Sequence, residues 1–82
     1  MEIREAQQLI REKYLEKDSL RGVFKSFTWL VEEIGELGEA LLKRSYRDIQ
    51  QEIADVIAWT LSVANLIGVD AEEAFKEKYC LG

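Results

Sequence analysis

The sequence predicts an all-α fold, a bundle of about four helices, and three observations carry that prediction. The chain holds no proline and only 5 glycines among 82 residues, and it is dense in Glu, Leu, Ala, Ile, Lys and Arg, which enter helices at little cost. Apolar residues recur at spacings of three and four over two long stretches. Ser45 and Asp70 each precede an acidic residue by three positions, the pattern of a helix start.

The first helix is expected over about Ile3 to Glu16, with Ile3, Ala6, Ile10, Tyr14 and Leu9 on its apolar side. The polar run Lys17-Asp-Ser-Leu-Arg-Gly22 reads as a loop. A second helix follows over about Val23 to Lys43, where Phe27, Leu30, Ile34, Leu37 and Leu41 form a bundle seam. Ser45 then caps a third helix, which turns Ile49, Ile53, Val56, Ile57, Thr60, Ala64 and Ile67 inward and stops at Gly68. Asp70-Ala-Glu-Glu73 opens a short fourth helix containing Ala74 and Phe75. The tight turn at Ser45 makes the two long central helices antiparallel. Residues 1–82 read as one domain without repeats or low-complexity segments.

Composition narrows the function classes. A net charge of −5 argues against a nucleic-acid binder, which concentrates Lys and Arg against phosphates. With no histidine and the single cysteine Cys80, a metal would have to be held by oxygen. The charged N-terminus and the absence of an apolar run near the roughly 18 residues of a membrane span imply a cytoplasmic chain with no membrane partner. So short a chain buries little of its own surface, so a homodimer or homotetramer is expected.

The candidate chemistry lies in two acidic pairs, Glu33 with Glu36 on the second helix and Glu52 with Asp55 on the third. Residues three apart share a helix face, so each pair presents two carboxylates in one direction. At about 100° per residue, both pairs flank their apolar seams at the same offset, and meeting across the helix pair requires a particular packing rotation. Four carboxylates held close would repel one another unless a cation neutralised them. A hard divalent ion suits them: Mg²⁺, with Mn²⁺ as a substitute, takes oxygen ligands and bridges carboxylates to phosphates, which points to phosphoryl or pyrophosphoryl chemistry.

A lone Glu-x-x-Glu is ordinarily a solvated helix face. Two such pairs beside Trp29 and Trp59, which lie on the same sides of their helices, leave solvated charge and a metal site in balance. The tryptophans themselves fit a subunit interface or a nucleobase platform equally well.

The segment Trp29-Leu-Val-Glu-Glu-Ile-Gly-Glu-Leu-Gly-Glu-Ala40, with the later Glu52-Ile-Ala-Asp-Val-Ile-Ala-Trp59, resembles the EExxE…ExxD signature of MazG-like all-α nucleotide pyrophosphohydrolases. The resemblance extends to Ala64-Asn-Leu-Ile-Gly-Val-Asp70 and Ala74-Phe-Lys-Glu-Lys-Tyr79. It implies Mg²⁺-dependent hydrolysis of a nucleoside triphosphate to monophosphate and pyrophosphate, as in nucleotide-pool cleaning. It assigns Glu33, Glu36, Glu52 and Asp55 to the metal, and Glu32 to orienting or deprotonating the attacking water. It sets Trp59 beside the nucleoside and implies that a second subunit completes the active site; Trp29, on the matching face of the second helix, is a further substrate-binding candidate by position alone.

Family members commonly continue past the last helix with cationic residues that meet the triphosphate. Here Lys76 and Lys78 are the candidates for that role, with Lys25, Lys43, Arg44 and Arg47 behind them. Two other readings stay open: a non-catalytic acidic helical module that binds a partner helix, and a family member that keeps the metal but turns over slowly.

Overall fold

The computed structural model describes residues 1–80, which form helices α1 (Ile3–Arg21), α2 (Val23–Lys43), α3 (Tyr46–Ile67) and α4 (Ala71–Tyr79), with no strand among the described residues. The centre is the α2–α3 hairpin. Arg44 closes α2 in the left-handed conformation at φ 55°, donating its N–H to the Leu41 carbonyl at 3.2 Å, and Ser45 starts α3. Trp29 stacks on Trp59 and Glu33 lies against Glu52, so residue numbers rise along one helix as they fall along the other. The two central helices are therefore antiparallel, as the short turn predicts.

α1 runs beside the C-terminal half of α3, with Gln7 bonded to Asn65 at one end and Arg21 over Trp59 at the other. It continues to Arg21, past the Glu16 expected from the sequence. The residues read as a loop are helical because the stripe Ala6, Ile10, Tyr14 continues at helical spacings of four and then three through Asp18 and Arg21. Gly22 alone separates α1 from α2, at φ 87° and ψ 160°, a region open essentially only to glycine. At the far end, Gly68 at φ 74° stops α3 where the sequence places its end. Asp70 then caps α4 by accepting the Glu73 N–H at 3.1 Å. Ser45 occupies its cap position without such a side-chain bond.

The burial pattern corrects the expected core. The seam residues Phe27, Ile34, Leu41, Ile53, Ile57 and Ile67 are 45–57% exposed. On α3 the expected Ala64 is buried, but its companions are Leu61, Ser62 and Asn65, and the buried positions of α2 are Ser26 and Ala40. Only Ala40, Leu61 and Ala64 are buried hydrophobics among the described residues. The cause is the thickness of the molecule. Its extents of 37 × 35 × 20 Å leave room for two helix layers of about 10–12 Å each, so no third layer covers the seams. No single described helix is long and apolar enough to cross a membrane.

Candidate metal centre

The packing rotation that the sequence left open is resolved within one chain. Carboxylate oxygens of Glu33, Glu36 and Glu52 all lie within 4.8 Å of one another. The carboxylates of the two helices meet here while the seam residues Phe27, Ile34, Leu41, Ile53 and Ile57 stay about half exposed. Glu33 and Glu52 are partly buried, and Glu36 is exposed at the rim.

The electrostatics are those of a site short of positive charge. The Glu33 carboxyl is pushed up to about 7 by desolvation first, then by the Glu52 carboxyl beside it and by the charges of Glu36 and Asp55. Glu52 is also raised, chiefly by desolvation. Asp55 stands outside the close trio and is exposed, yet its charge acts on both partners. Oε2 of Glu33 and Oε2 of Glu52 are buried with no hydrogen-bond donor. Such acceptors are costly to leave unmet, and the set consists wholly of hard oxygens. These residues fit a divalent cation such as Mg²⁺.

Around the trio, α3 presents one continuous stripe: Glu52, Asp55, Trp59 and Ser62, spaced three, four and three. On one side is a groove of about 230 Å³ bounded by Glu36, Glu52, Lys43 and Asp48. On the other, a cavity of about 280 Å³ between α1 and α3 is bounded by Asp55, Trp59, Asp18 and Arg21. Trp29 and Trp59 stack at 6.3 Å between ring centroids, 18° apart in plane, and the Arg21 guanidinium lies 4.9 Å from the Trp59 ring centre. Trp59 is thus a wall of the cavity with partners of its own, and Trp29 backs it.

Not every residue singled out from the sequence arrives here. Glu32 is exposed on α2 and lies outside the trio. Lys76 pairs with Glu72 at 3.6 Å, and Lys78 lies 5.5 Å from the Tyr79 ring centre, both on α4, and neither bounds a cavity shared with the carboxylates. Among the described residues the cations beside the site are Lys43 on one side and Lys17 and Arg21 on the other. Asp18 and Arg21 escape the sequence reading because they fall in the presumed loop. Their spacing from Tyr14 along the α1 stripe was the available signal.

Residues 24–79 match the family model described as MazG nucleotide pyrophosphohydrolase domain, most of the chain. The chain belongs to the MazG family. No curated protein matches it significantly. Membership suggests nucleotide pyrophosphohydrolase activity in general and metal dependence with it, and the matched segment contains both acidic pairs and both tryptophans of this MazG domain.

Proposed function

We propose that the protein hydrolyses nucleoside triphosphates between the α and β phosphates, releasing the nucleoside monophosphate and pyrophosphate, with Mg²⁺ or Mn²⁺ as cofactor. The observation that carries the reading is the pair of donorless buried oxygens on Glu33 and Glu52, beside Glu36, inside the segment that matches the family. Glu33, Glu36 and Glu52 would hold the metal, with Asp55 completing the set from the next turn of α3. When bound, the ion supplies Lewis-acid polarisation of the phosphates and offsets their charge. Glu32 is exposed one residue before Glu33, which suits a group that accepts the proton of the attacking water rather than one that ligates. The water oxygen bonds to the α phosphorus as the bond to the bridging oxygen breaks, and pyrophosphate carries that electron pair away.

We further propose a homodimer or homotetramer. The surface of 6266 Å² exceeds the roughly 5,000 Å² expected of a compact monomer of 9.5 kDa, and the half-exposed apolar seams are what a second copy would cover. A nucleotide-pool role places the protein in the cytoplasm, where such substrates are made.

The test is incubation with a panel of ribo- and deoxynucleoside triphosphates, with and without Mg²⁺, followed by chromatography for monophosphate and pyrophosphate. Metal-dependent appearance of both products is expected. No product from any nucleotide would reduce the chain to a metal-binding relic or an interaction module. Sedimentation equilibrium reads the assembly, and a monomer at micromolar concentration would refute the oligomer.

A further inference from the structure

The α2–α3 hairpin has two flat sides, and α1 covers only one of them. At about 100° per residue, the groups that meet across the hairpin, Glu33 with Glu52 and Trp29 with Trp59, lie about 100–140° to one side of Ile34 on α2 and of Ile53 on α3. The two helices are antiparallel, so equal offsets in the same sense turn the stripes that hold Ile34 and Ile53 to one and the same side. α1 packs on the other side: Gln7 and Arg21 meet Asn65 and Trp59, both roughly 120° from Ile53 on α3. Glu36 and Asp55, about 160° from the two stripes, face away from them as well.

The bare side is apolar. Phe27, Val31, Ile34 and Leu41 of α2 and Ile53, Ile57 and Ile67 of α3 are 45–57% exposed. Beyond α3, Phe75 and Tyr79 of α4 wall a groove of about 710 Å³ along Ile57, Thr60 and Ile67. Side chains of this size, half in water, leave on the order of 100 Å² each, so this side presents about 900 Å², and a stable interface takes about 800 Å² from each partner. Charge decides what can seat there. Every Asp, Glu, Lys and Arg of α2 and α3 lies about 100° or more from Ile34 or Ile53. Among the described residues, Lys78 is the one charge lining the groove. A chain of net charge −5 can therefore meet its own copy on this side without like-charge repulsion, which the carboxylate side does not allow. A charged partner would find almost nothing here to pair with.

Gly38 is a second, independent sign. It continues the stripe Phe27, Val31, Ile34 at spacings of four and three and precedes Leu41 by three. Among the described residues no atom lies within 4 Å of where its Cβ would sit, and its φ is not positive. A glycine weakens a helix interior, and nothing inside the chain requires this one. Close approach of a helix from outside the chain does.

We propose that a second copy of this chain docks on this side about a two-fold axis, α2 and α3 against the same helices of the partner with Gly38 at the close crossing. The Glu33, Glu36, Glu52 clusters of the two copies then point away from each other, outside the contact. This rests on the self-association proposed above and gives it a face.

Sedimentation equilibrium tests it on wild type, Gly38→Glu, Ile57→Glu and Glu32→Lys, with far-UV circular dichroism to follow the fold. Wild type should associate at micromolar concentration. By symmetry Gly38→Glu and Ile57→Glu each bury two unpaired charges, so each should raise the dissociation constant by about hundredfold or more. Glu32→Lys, on the other side of α2, should leave it unchanged. Gly38→Glu projects into open space in a single chain, so its helicity should match wild type, and it decides the matter should Ile57→Glu unfold. Association at wild-type strength in Gly38→Glu overturns this face while the oligomer reading stands. A shift in Glu32→Lys with Gly38→Glu unmoved puts the contact on the carboxylate side and also overturns it. A wild type that stays monomeric removes the oligomer and its face together.

Discussion

Two acidic clusters lie in this small protein, and they are built on opposite principles. At the junction of α1, α3 and α4, Glu72 is nearly as buried as any residue, yet it accepts the Arg4 backbone N–H at 3.1 Å and pairs with the Arg4 guanidinium at 2.9 Å and with Lys76. Its carboxyl is held below the ordinary range, first by the Arg4 N–H, and Asp70 is held low first by the Glu73 N–H. Gln7 knits the same junction, donating to Asn65 at 3.0 Å and to the Val69 carbonyl at 2.7 Å, and accepting from the Ala71 N–H at 2.9 Å. In the Glu33, Glu36, Glu52 cluster no cation among the described residues is paired with any of the three acids, and the Glu33 carboxyl is raised to about 7. Acidic residues alone therefore mark nothing. Donors and cations within reach mark a joint, and their lack at the second cluster is what the proposed metal would make up.

The contrast is broken most severely at the carboxylates. Replacing Glu36 or Glu52 with Gln should lower metal-dependent kcat/KM by on the order of 10²–10³-fold, comparable to losing one transition-state contact. Thermal stability of the metal-free protein should hold or rise, because like charges are being removed. Wild-type turnover in either variant would mean that the ligands lie elsewhere.

At the junction the same kind of change should act on folding instead. Gln7→Ala deletes three hydrogen bonds and leaves the Asn65 side chain and the Ala71 N–H short of partners. A loss of about 1–3 kcal/mol is expected, with a Tm drop of about 4–8 °C per kcal/mol for a domain of this size. Activity measured well below Tm should be nearly unchanged. A large fall in kcat without a fall in Tm would erase the distinction between the two clusters.

The two clusters should also answer pH with opposite signs. Glu33 holds its proton more tightly when folded than when unfolded, so between about 4.5 and 7 the native state binds more protons. Stability of the metal-free protein from this group is therefore greatest at the acid end and declines as pH rises through about 7. Glu72 and Asp70 are depressed, so their contribution is present above the ordinary carboxylate range and is lost on acidification below it. Differential scanning fluorimetry from pH 4 to pH 8 should show a decline toward neutrality that Glu33→Gln removes. Added Mg²⁺ should raise Tm near pH 8 and do little near pH 5.5, since proton and metal compete for the same oxygens. A flat profile in wild type would show that the acidic cluster is well solvated.

Much of this contrast was legible before the structure, but unevenly. The helix starts and stops of α2, α3 and α4 follow from local signals: Gly22, Ser45, Gly68 and Asp70. The pairing of Glu33 and Glu36 on one face is a matter of helical period. What the sequence did not convey is which side of each helix faces its neighbour. An apolar stripe such as Phe27, Ile34 and Leu41 says that something covers it, without saying whether that is α3 or another molecule. Asp18 was lost for a related reason. Its charge looks like the end of the apolar pattern, whereas it is the next position on the same stripe.

The smallest expected effect sharpens the comparison at the two helix starts, which look alike in sequence. Asp70 accepts the Glu73 N–H, whereas the Ser45 side chain makes no cap bond, although Ser45 occupies the equivalent position and Asp48 stands three residues on. A capping side chain that makes its bond typically contributes about 1 kcal/mol. Ser45→Ala removes a hydroxyl that makes none, so Tm should move by no more than the ~0.5 kcal/mol typical of a neutral surface change. Asp70→Ala should lower Tm by several degrees, because it strips the cap and the Arg4 partner at 3.1 Å together. The difference has a physical cause in the turn before each helix. Arg44 already satisfies the end of α2 in the left-handed conformation, so the α2–α3 hairpin is fixed by backbone and by packing along α3. α4 is a helix of 9 residues, too short to persist without its cap and its salt bridges. A loss in Ser45→Ala as large as that in Asp70→Ala would show that the hydroxyl caps α3 in solution, and that the carboxylate-cluster end of the hairpin is held by side chains after all.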